Sequence, residues 1–367
     1  MNIYIGVDLH KAQFTCYVKN EFGKARLFKF LTDEKGYNRF LKLLDILKNK
    51  EKFKVSIAVE STGNTRYFKQ KIENEIGIET KVINTMKFKV INESINKTDK
   101  RDAKTIADFL EKDMLPEAKI CSVKSEQLKR ITKSRSILVS TRIKIKNQIH
   151  GILLSIGITT KTGQFNSKIG RKKVIEIVKD ISNKKLIQSL VNVLENTEDS
   201  IKELEKEMED MTDDDRVVEI LKTIPGTGKI SAITVRAHID DIARFSSSKK
   251  LSSYVGLVPW VRQSDKKEYI GHITKRGSKE LRTAIVQMVM GMIRSKSEKD
   301  NIFMNQYNYL KTKKATGIAI IAVARRLTKL IWTLLTKNEE YNPLVSSSIE
   351  IIKKAESMRH QAEMNVA

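Results

Sequence analysis

Apolar and polar residues alternate from the first positions of the chain. Ile3, Ile5, Val7 and Leu9 recur every second residue, with Tyr4, Gly6 and Asp8 between them. A period of two predicts a buried central strand with a carboxylate, Asp8, at its exit. A second run covers Phe14 to Val18. Asn20-Glu21-Phe22-Gly23 then turns the chain into a third run, Ala25 to Phe30, completing a meander. Thr32-Asp33-Glu34 opens a helix with Phe40, Leu43, Leu44 and Leu47 on one face. Lys54 to Glu60 is a strand that again ends on an acid. Ser61-Thr62-Gly63-Asn64 leads into a helix carrying Tyr67, Phe68 and Ile72, and Glu79 to Ile83 is a fifth strand. Alternating strand and helix patterns make this region α/β, and βββαβαβ is the order an RNase H-like sheet would show.

Beyond residue 118 the pattern is helical. Residues 124–157 predict one long helix in which Ile131, Leu138, Ile145 and Ile152 form a seven-residue seam, with Ile149 and Ile156 beside it. Gly157 to Gly170 reads as a loop and Val174 to Ile181 as a short helix. A second seam, Ile187, Leu190, Leu194, Thr197, Ile201, Leu204, Met208 and Met211, follows at spacings of three and four. The two seams suit pairing within one chain or between chains. Asp213-Asp214-Asp215 marks a boundary. Ile224-Pro225-Gly226-Thr227-Gly228-Lys229 then joins two helical stretches as a helix-hairpin-helix. Its glycines would let backbone N–H groups approach a phosphate at the start of the second helix, and an ordinary helical hairpin fits the same residues. A helix from Ser246 is capped at Gly256, Ser264 lies in a polar turn, and further helices start near Ser278 and at Thr316. The expected organisation is an α/β domain over 1–118, a helical coiled-coil linker over 119–213, a mostly helical domain over 214–340 and a tail over 341–367.

Charge sharpens the picture. The 367 residues carry 69 Lys and Arg against 44 Asp and Glu, a formal charge of +25 with a pI near 9.8. Such an excess favours a polyanionic partner, nucleic acid before an acidic membrane face. Arg135 and Arg142 on the long helix, Gly226, Gly228 and Lys229 in the hairpin, and Arg262, Lys275 and Arg276 further on are the candidate contacts. A solvated helix face would also explain the basic coat. No apolar run of membrane-spanning length and no signal peptide is evident, so a cytoplasmic protein near the nucleoid is expected. Cys16 and Cys121 are too few for a disulfide framework or a zinc site.

The acids carry the candidate chemistry. Asp8 and Glu60 end strands, and Asp99 and Asp102, three apart on a predicted helix, share a face. An acid after a strand is also a common turn former, and Asp99 suits a helix N-cap. Capping explains one acid, not four in one small domain. Four converging carboxylates repel unless cations lie between them. Oxygen ligands suit Mg2+ or Mn2+, and two such ions about 4 Å apart clamp a phosphodiester. Ser264, between Arg262 and Lys266-Lys267, is by residue type one of many loop serines. It becomes a nucleophile only where its proton is taken and the developing charge is met.

The whole chain resembles transposases of the insertion-sequence 110 family, the DEDD transposases related to Piv-type DNA invertases. The resemblance rests on Ile5-Gly6-Val7-Asp8-Leu9-His10-Lys11, Val59-Glu60-Ser61-Thr62-Gly63 and Lys97-Thr98-Asp99-Lys100-Arg101-Asp102-Ala103. It continues through Ile224-Pro225-Gly226-Thr227-Gly228, Tyr254-Val255-Gly256-Leu257-Val258-Pro259, Arg262-Gln263-Ser264 and His272-Ile273-Thr274-Lys275-Arg276-Gly277-Ser278. Gly277-Ser278-Lys279 before Leu281-Arg282 looks like the insertion-sequence 1111 branch. The resemblance implies a RuvC-like first domain, a coiled-coil linker and a C-terminal transposase domain. It implies divalent metal on Asp8, Glu60, Asp99 and Asp102, and a serine that links covalently to DNA. By position that serine is Ser264, with Ser278 the second candidate. It also implies an element-encoded non-coding guide RNA, dimers that pair into tetramers, and excision and insertion of the element's own DNA. A RuvC-like junction resolvase or nuclease using only the acids, and a non-catalytic nucleic-acid scaffold, are the alternative readings. An actin-like sugar kinase lacks its glycine-rich phosphate loops here.

Overall fold

Strand alternation at the N-terminus sorts side chains onto two sheet faces, and the computed structural model shows what covers each. It describes residues 1–49, 53–91, 98–161, 163–264, 267–295 and 302–343, and excludes the side chains of residues 264, 267 and 268. The chain divides into two compact units, Met1–Ile120 and Cys121–Ala367.

The first unit is built on a five-stranded mixed sheet in the order β3-β2-β1-β4-β5. β1 (Asn2–Leu9) lies at its centre, antiparallel to β2 (Gln13–Asn20) and parallel to β4 (Lys54–Glu60). β3 (Ala25–Leu31) and β5 (Thr80–Ile83) form the edges. Ile3, Ile5, Val7 and Leu9 pack with Phe14 and Cys16 against α1 (Glu34–Asn49) and α2 (Thr65–Ile76), whose Phe40 and Phe68 rings meet Phe14 edge-on. Tyr4, Gly6 and Asp8 point to the opposite face, towards α4 (Asp99–Glu111). That face also carries α3 (Thr85–Ile91), which the residue pattern did not predict.

Gly6 lets α4 approach. A Cβ there would lie 2.1 Å from the Ala103 carbonyl oxygen and 2.5 Å from the Ala107 nitrogen. Lys19 at the far end of β2 bonds Asp108 and Glu111, at 2.8 and 2.7 Å, and fixes the end of α4 opposite its acidic first turn. The helix therefore runs antiparallel to β1, which brings its N-terminus to the strand end that carries Asp8.

In the second unit α5 (Val123–Ser155) and α7 (Ile181–Asp210) pack side by side within one chain. The buried line on α5 keeps Ile145 of the predicted seven-residue series and Ile149 beside it but departs from the series elsewhere. It runs Leu128, Thr132, Ile145, Ile149 and Leu153, with Ile131 and Ile152 only partly buried. A straight α-helix drifts about 20° per heptad against a strict repeat, which moves the contact line by one residue along a helix this long. Midway the contact is ionic, with Arg135 reaching Glu205 at 2.5 Å. The short helix expected at Val174–Ile181 is α6, Lys168–Ile177, because Ser167 caps it by accepting from the Gly170 nitrogen.

α8 (Arg216–Thr223) and α9 (Lys229–Ile239) flank the Pro-Gly-x-Gly turn as predicted. α10 (Ser248–Val255) ends at Gly256 in the left-handed region. The stretch read as a polar turn is instead a two-stranded ribbon, β6 (Pro259–Ser264) antiparallel to β7 (Lys267–Ile273). α11 (Lys279–Arg294) starts at its cap Ser278, and α12 (Ile302–Lys311), absent from the sequence reading, precedes α13 (Thr316–Lys337). One core joins α8–α13 and takes in Leu128 of α5 and Met208 of α7. The expected tail past residue 343 lies outside the described residues.

Candidate metal centre

Asp8 reaches its position by strand register. It follows Val7, which pairs with Val59 in parallel β4, so Glu60 lies at the same level one strand away. The Asp8 side chain is only 5% exposed. Burial first, then the Asp99, Asp102 and Glu60 carboxylates, push its pKa up to about 6, against a lowering pull from His10. Each of the other three predicted acids thus lies within electrostatic reach of Asp8.

His10 joins this group, although neither its type nor its spacing in the sequence marks it for a role. Its Nε2 lies 3.1 Å from Asp8 Oδ2 and 3.6 Å from Asp99 Oδ1. Ligand atoms of Asp8, His10 and Asp99 all lie within 4.8 Å of one another. Glu60 and Asp102 fall outside that tight group and surround it at longer range.

The loops around the group are tied to it. Asn64, at the start of α2, makes no side-chain cap bond for its own helix. It donates through Nδ2 to the His10 carbonyl at 3.1 Å and accepts from Thr62 through Oδ1. This couples the turn after Glu60 to the turn after Asp8. Thr65 also bonds the Glu60 carbonyl, at 2.7 Å.

The alternative reading of Asp99 as an N-cap does not hold. Thr98 caps α4 by accepting from the Arg101 nitrogen, and both Asp99 and Asp102 sit in the first turn. The Asp99 carboxylate instead accepts from Gln13 Nε2 at 3.4 Å and faces His10. Negative charge at a helix N-terminus is favourable by itself, but it does not account for a buried Asp8 among them. Two oxygen donors and one imidazole nitrogen within bonding span fit a divalent cation, and such a cation would offset the burial and the repulsion that raise the Asp8 pKa.

The remaining candidates lie in the second unit. Ser264 ends β6 opposite Lys267 in register. Its side chain, and all of Asp265 and Lys266, lie outside the described residues. Ser278 is engaged as a cap, accepting from the Leu281 nitrogen and donating to Glu280 Oε2 at 2.7 Å, with His238 Nε2 3.4 Å away. Gly226, at φ +75, has backbone of α11 against it; a Cβ would lie 2.2 Å from the Met292 nitrogen. Close helix packing therefore already requires this glycine. Gly228 faces open space at the start of α9, and Lys229 pairs with Glu209 at 3.0 Å. Arg262, Lys275 and Arg276 are exposed, Arg142 is half-buried, and Arg135 is held by Glu205.

Comparisons with known proteins point to one class. The IS110-type DEDD family model, described as a transposase, matches residues 5–158. The model described as Transposase IS116/IS110/IS902 family matches residues 218–304. The chain is 27% identical to the transposase for insertion sequence element IS1111A of Coxiella burnetii, over 92% of this chain and 90% of that protein. It is 24% identical to the transposase for insertion sequence element IS1328 of Yersinia enterocolitica, over 92% and 98%. The pilin gene-inverting protein of Moraxella bovis is 31% identical over 128 residues, 34% of this chain and 38% of that protein. A basic chain with carboxylates gathered at the end of a central strand, matched in both units to transposase domains, is an enzyme that cuts and rejoins DNA. It belongs to the IS110/IS116/IS902 family of insertion-sequence transposases. Among the described residues no helix is long and apolar enough to cross a membrane.

Proposed function

We propose that this transposase moves its own element by a two-part chemistry. Asp8, Glu60, Asp99 and Asp102, on a sheet of RNase H-like (RuvC-like) type, hold Mg2+ or Mn2+, and the Ser264 hydroxyl is the nucleophile. A divalent cation held by these residues would supply Lewis-acid polarisation of the DNA phosphate. Asp8 supplies the most buried carboxylate, Asp99 the nearest second one, and His10 adds its Nε2 beside them. The Ser264 oxygen bonds to phosphorus as the leaving strand departs, which keeps the phosphodiester energy in a phosphoserine link for rejoining. The observation that carries the reading is the buried Asp8 carboxyl, with three further acids and one imidazole acting on it.

The α5–α7 pair is the coiled-coil linker of this reading. Donor and target sites are chosen by an element-encoded RNA, and the chain works as a dimer or tetramer on the bacterial nucleoid. Support for the guide is the family resemblance and the +25 charge. The test is a strand-transfer assay on DNA bearing the element ends. Asp8→Asn, Glu60→Gln, Asp99→Asn and Asp102→Asn are each expected to lose metal-dependent product. Ser264→Ala is expected to lose the covalent protein–DNA adduct. Nicked ends with no adduct from the unaltered protein would favour a junction resolvase, and an adduct surviving Ser264→Ala would move the nucleophile to Ser278.

A further inference from the structure

The β6–β7 ribbon carries aromatic side chains that no core uses. Arg262 lies directly opposite Tyr269 in register, so the two share a face. Gly271, two residues beyond Tyr269, lies on the same face, and a Cβ there would fall 1.9 Å from Trp260 Cε2. The Trp260 indole therefore lies against the bare Gly271 backbone and turns its other side outward. Trp260 is 47% exposed and Tyr269 57% exposed. On the opposite face Val261 and Ile270 are also open, at 53% and 67%, so neither side of the ribbon is covered by a core.

We propose that the Trp260–Arg262–Tyr269 face is a stacking platform for unpaired bases of a DNA strand. Two exposed rings beside a guanidinium match the π-face of a base and its adjoining phosphate. A duplex hides those π-faces in its own stack, so single strand is the form that fits. Charge agrees with a polyanion: residues 259–279 hold six Lys and Arg against two acids, 6 − 2 = +4. DNA is chosen over other polymers because the enzyme cuts and rejoins DNA. The ribbon ends at Ser264, so a strand stacked on it runs beside the proposed nucleophile. Only that last step rests on the reading of Ser264.

The test is equilibrium binding of the full-length protein to a labelled 15-nucleotide thymidine strand and to a 15-base-pair duplex, at one fixed salt concentration. Trp260→Ala is expected to weaken single-strand binding about tenfold and duplex binding less than twofold, with Trp260→Phe close to the unaltered protein. Tyr269→Ala gives the same pattern and serves if the Trp260 variant melts early, because Tyr269 does not rest on Gly271. Val261→Ala, on the other face, leaves both affinities unchanged. Equal losses on single strand and duplex, or no loss with either aromatic variant, would overturn the proposal. A uridine ribo-oligomer that binds tighter than the thymidine strand and shows the same losses would overturn it in favour of RNA. Binding needs neither cleavage nor divalent metal, so these outcomes leave the carboxylate and serine roles to their own assay.

Discussion

Asp8 occupies a place where an ionised carboxylate is poorly tolerated, buried and ringed by three other acids. Asp8→Asn is therefore expected to raise the stability of the metal-free protein by about 1–3 kcal/mol at pH 7.5, read from urea unfolding. The same variant should lose the rise in melting temperature that Mg2+ or Mn2+ gives the unaltered protein. A purely structural Asp8 would give the opposite result, destabilisation with the cation effect intact. His238 supplies a second test of opposite pH sign. Burial, aided by Lys129 and opposed by Glu280, pushes its pKa down to about 4. The folded protein then binds fewer protons than the unfolded chain between pH 6.5 and 4. His238 contributes stability that is full above pH 6.5 and lost as pH falls towards 4, at most about 3 kcal/mol. Asp8, with its value raised, acts against this slope in the same window, so the comparison must be with His238→Gln, which should flatten the acid-side loss. The positions of Asp8 and Glu60 were legible because each ends an apolar strand, and those of Asp99 and Asp102 because they lie three apart at the start of a helix. His10 was not, because nothing in its type or spacing reveals that its Nε2 would reach both Asp8 and Asp99. The alternative of Asp99 as a cap fails for a physical reason. Thr98 and Asp99 are adjacent capping residues, and contacts with Gln13 and His10 engage the carboxylate and leave the cap to threonine.

At the scale of elements, the site depends on how closely α4 lies against β1. Gly6→Ala places a methyl group about 2 Å from the Ala103 carbonyl, and backbone on both sides leaves no flexible neighbour to yield. The variant is expected to lose about 3 kcal/mol or more in urea unfolding, beyond an ordinary overpacked side chain. It should also lose much of its cation-induced stabilisation, because displacing α4 moves Asp99 and Asp102 away from Asp8. Gly63→Ala is the control: a Cβ there meets nothing within 4 Å, and it should change stability by less than about 0.5 kcal/mol. The strands and helices of the first unit were legible because each buries one face and exposes the other. The β6–β7 ribbon was not, because both of its faces are open and no apolar–polar contrast marks them. α3, at seven residues, is too short to display a helical period. The α5 seam was legible at Ile145 and Ile149 and lost at other positions, because a strict coiled-coil repeat does not follow a contact line that drifts.

For the whole molecule, a charge of +25 predicts DNA binding that weakens steeply with salt, but not every cation contributes. Lysines and arginines already bonded within the fold release no counterions on binding. Arg135 is held by Glu205, Lys146 by Glu198, and Arg171 by Glu195 and Glu198. Arg262, Lys275 and Arg276 point to solvent. If six to ten phosphates are contacted, affinity should fall about 10^3- to 10^5-fold between 50 and 200 mM salt. Single Gln substitutions at Arg262, Lys275 or Arg276 should each lower the log–log slope by about one. Arg135→Gln should instead leave that slope unchanged and lower the melting temperature, since it strands Glu205 between α5 and α7. A slope that drops on losing Arg135 and not on losing Arg262 would mean that DNA displaces Glu205 and follows the long helix, not the ribbon. Asp8→Asn separates binding from cutting: in metal-free buffer, removing one negative charge cannot weaken phosphate contact, so its affinity should equal or exceed that of the unaltered protein, while with divalent cation added its strand-transfer product disappears.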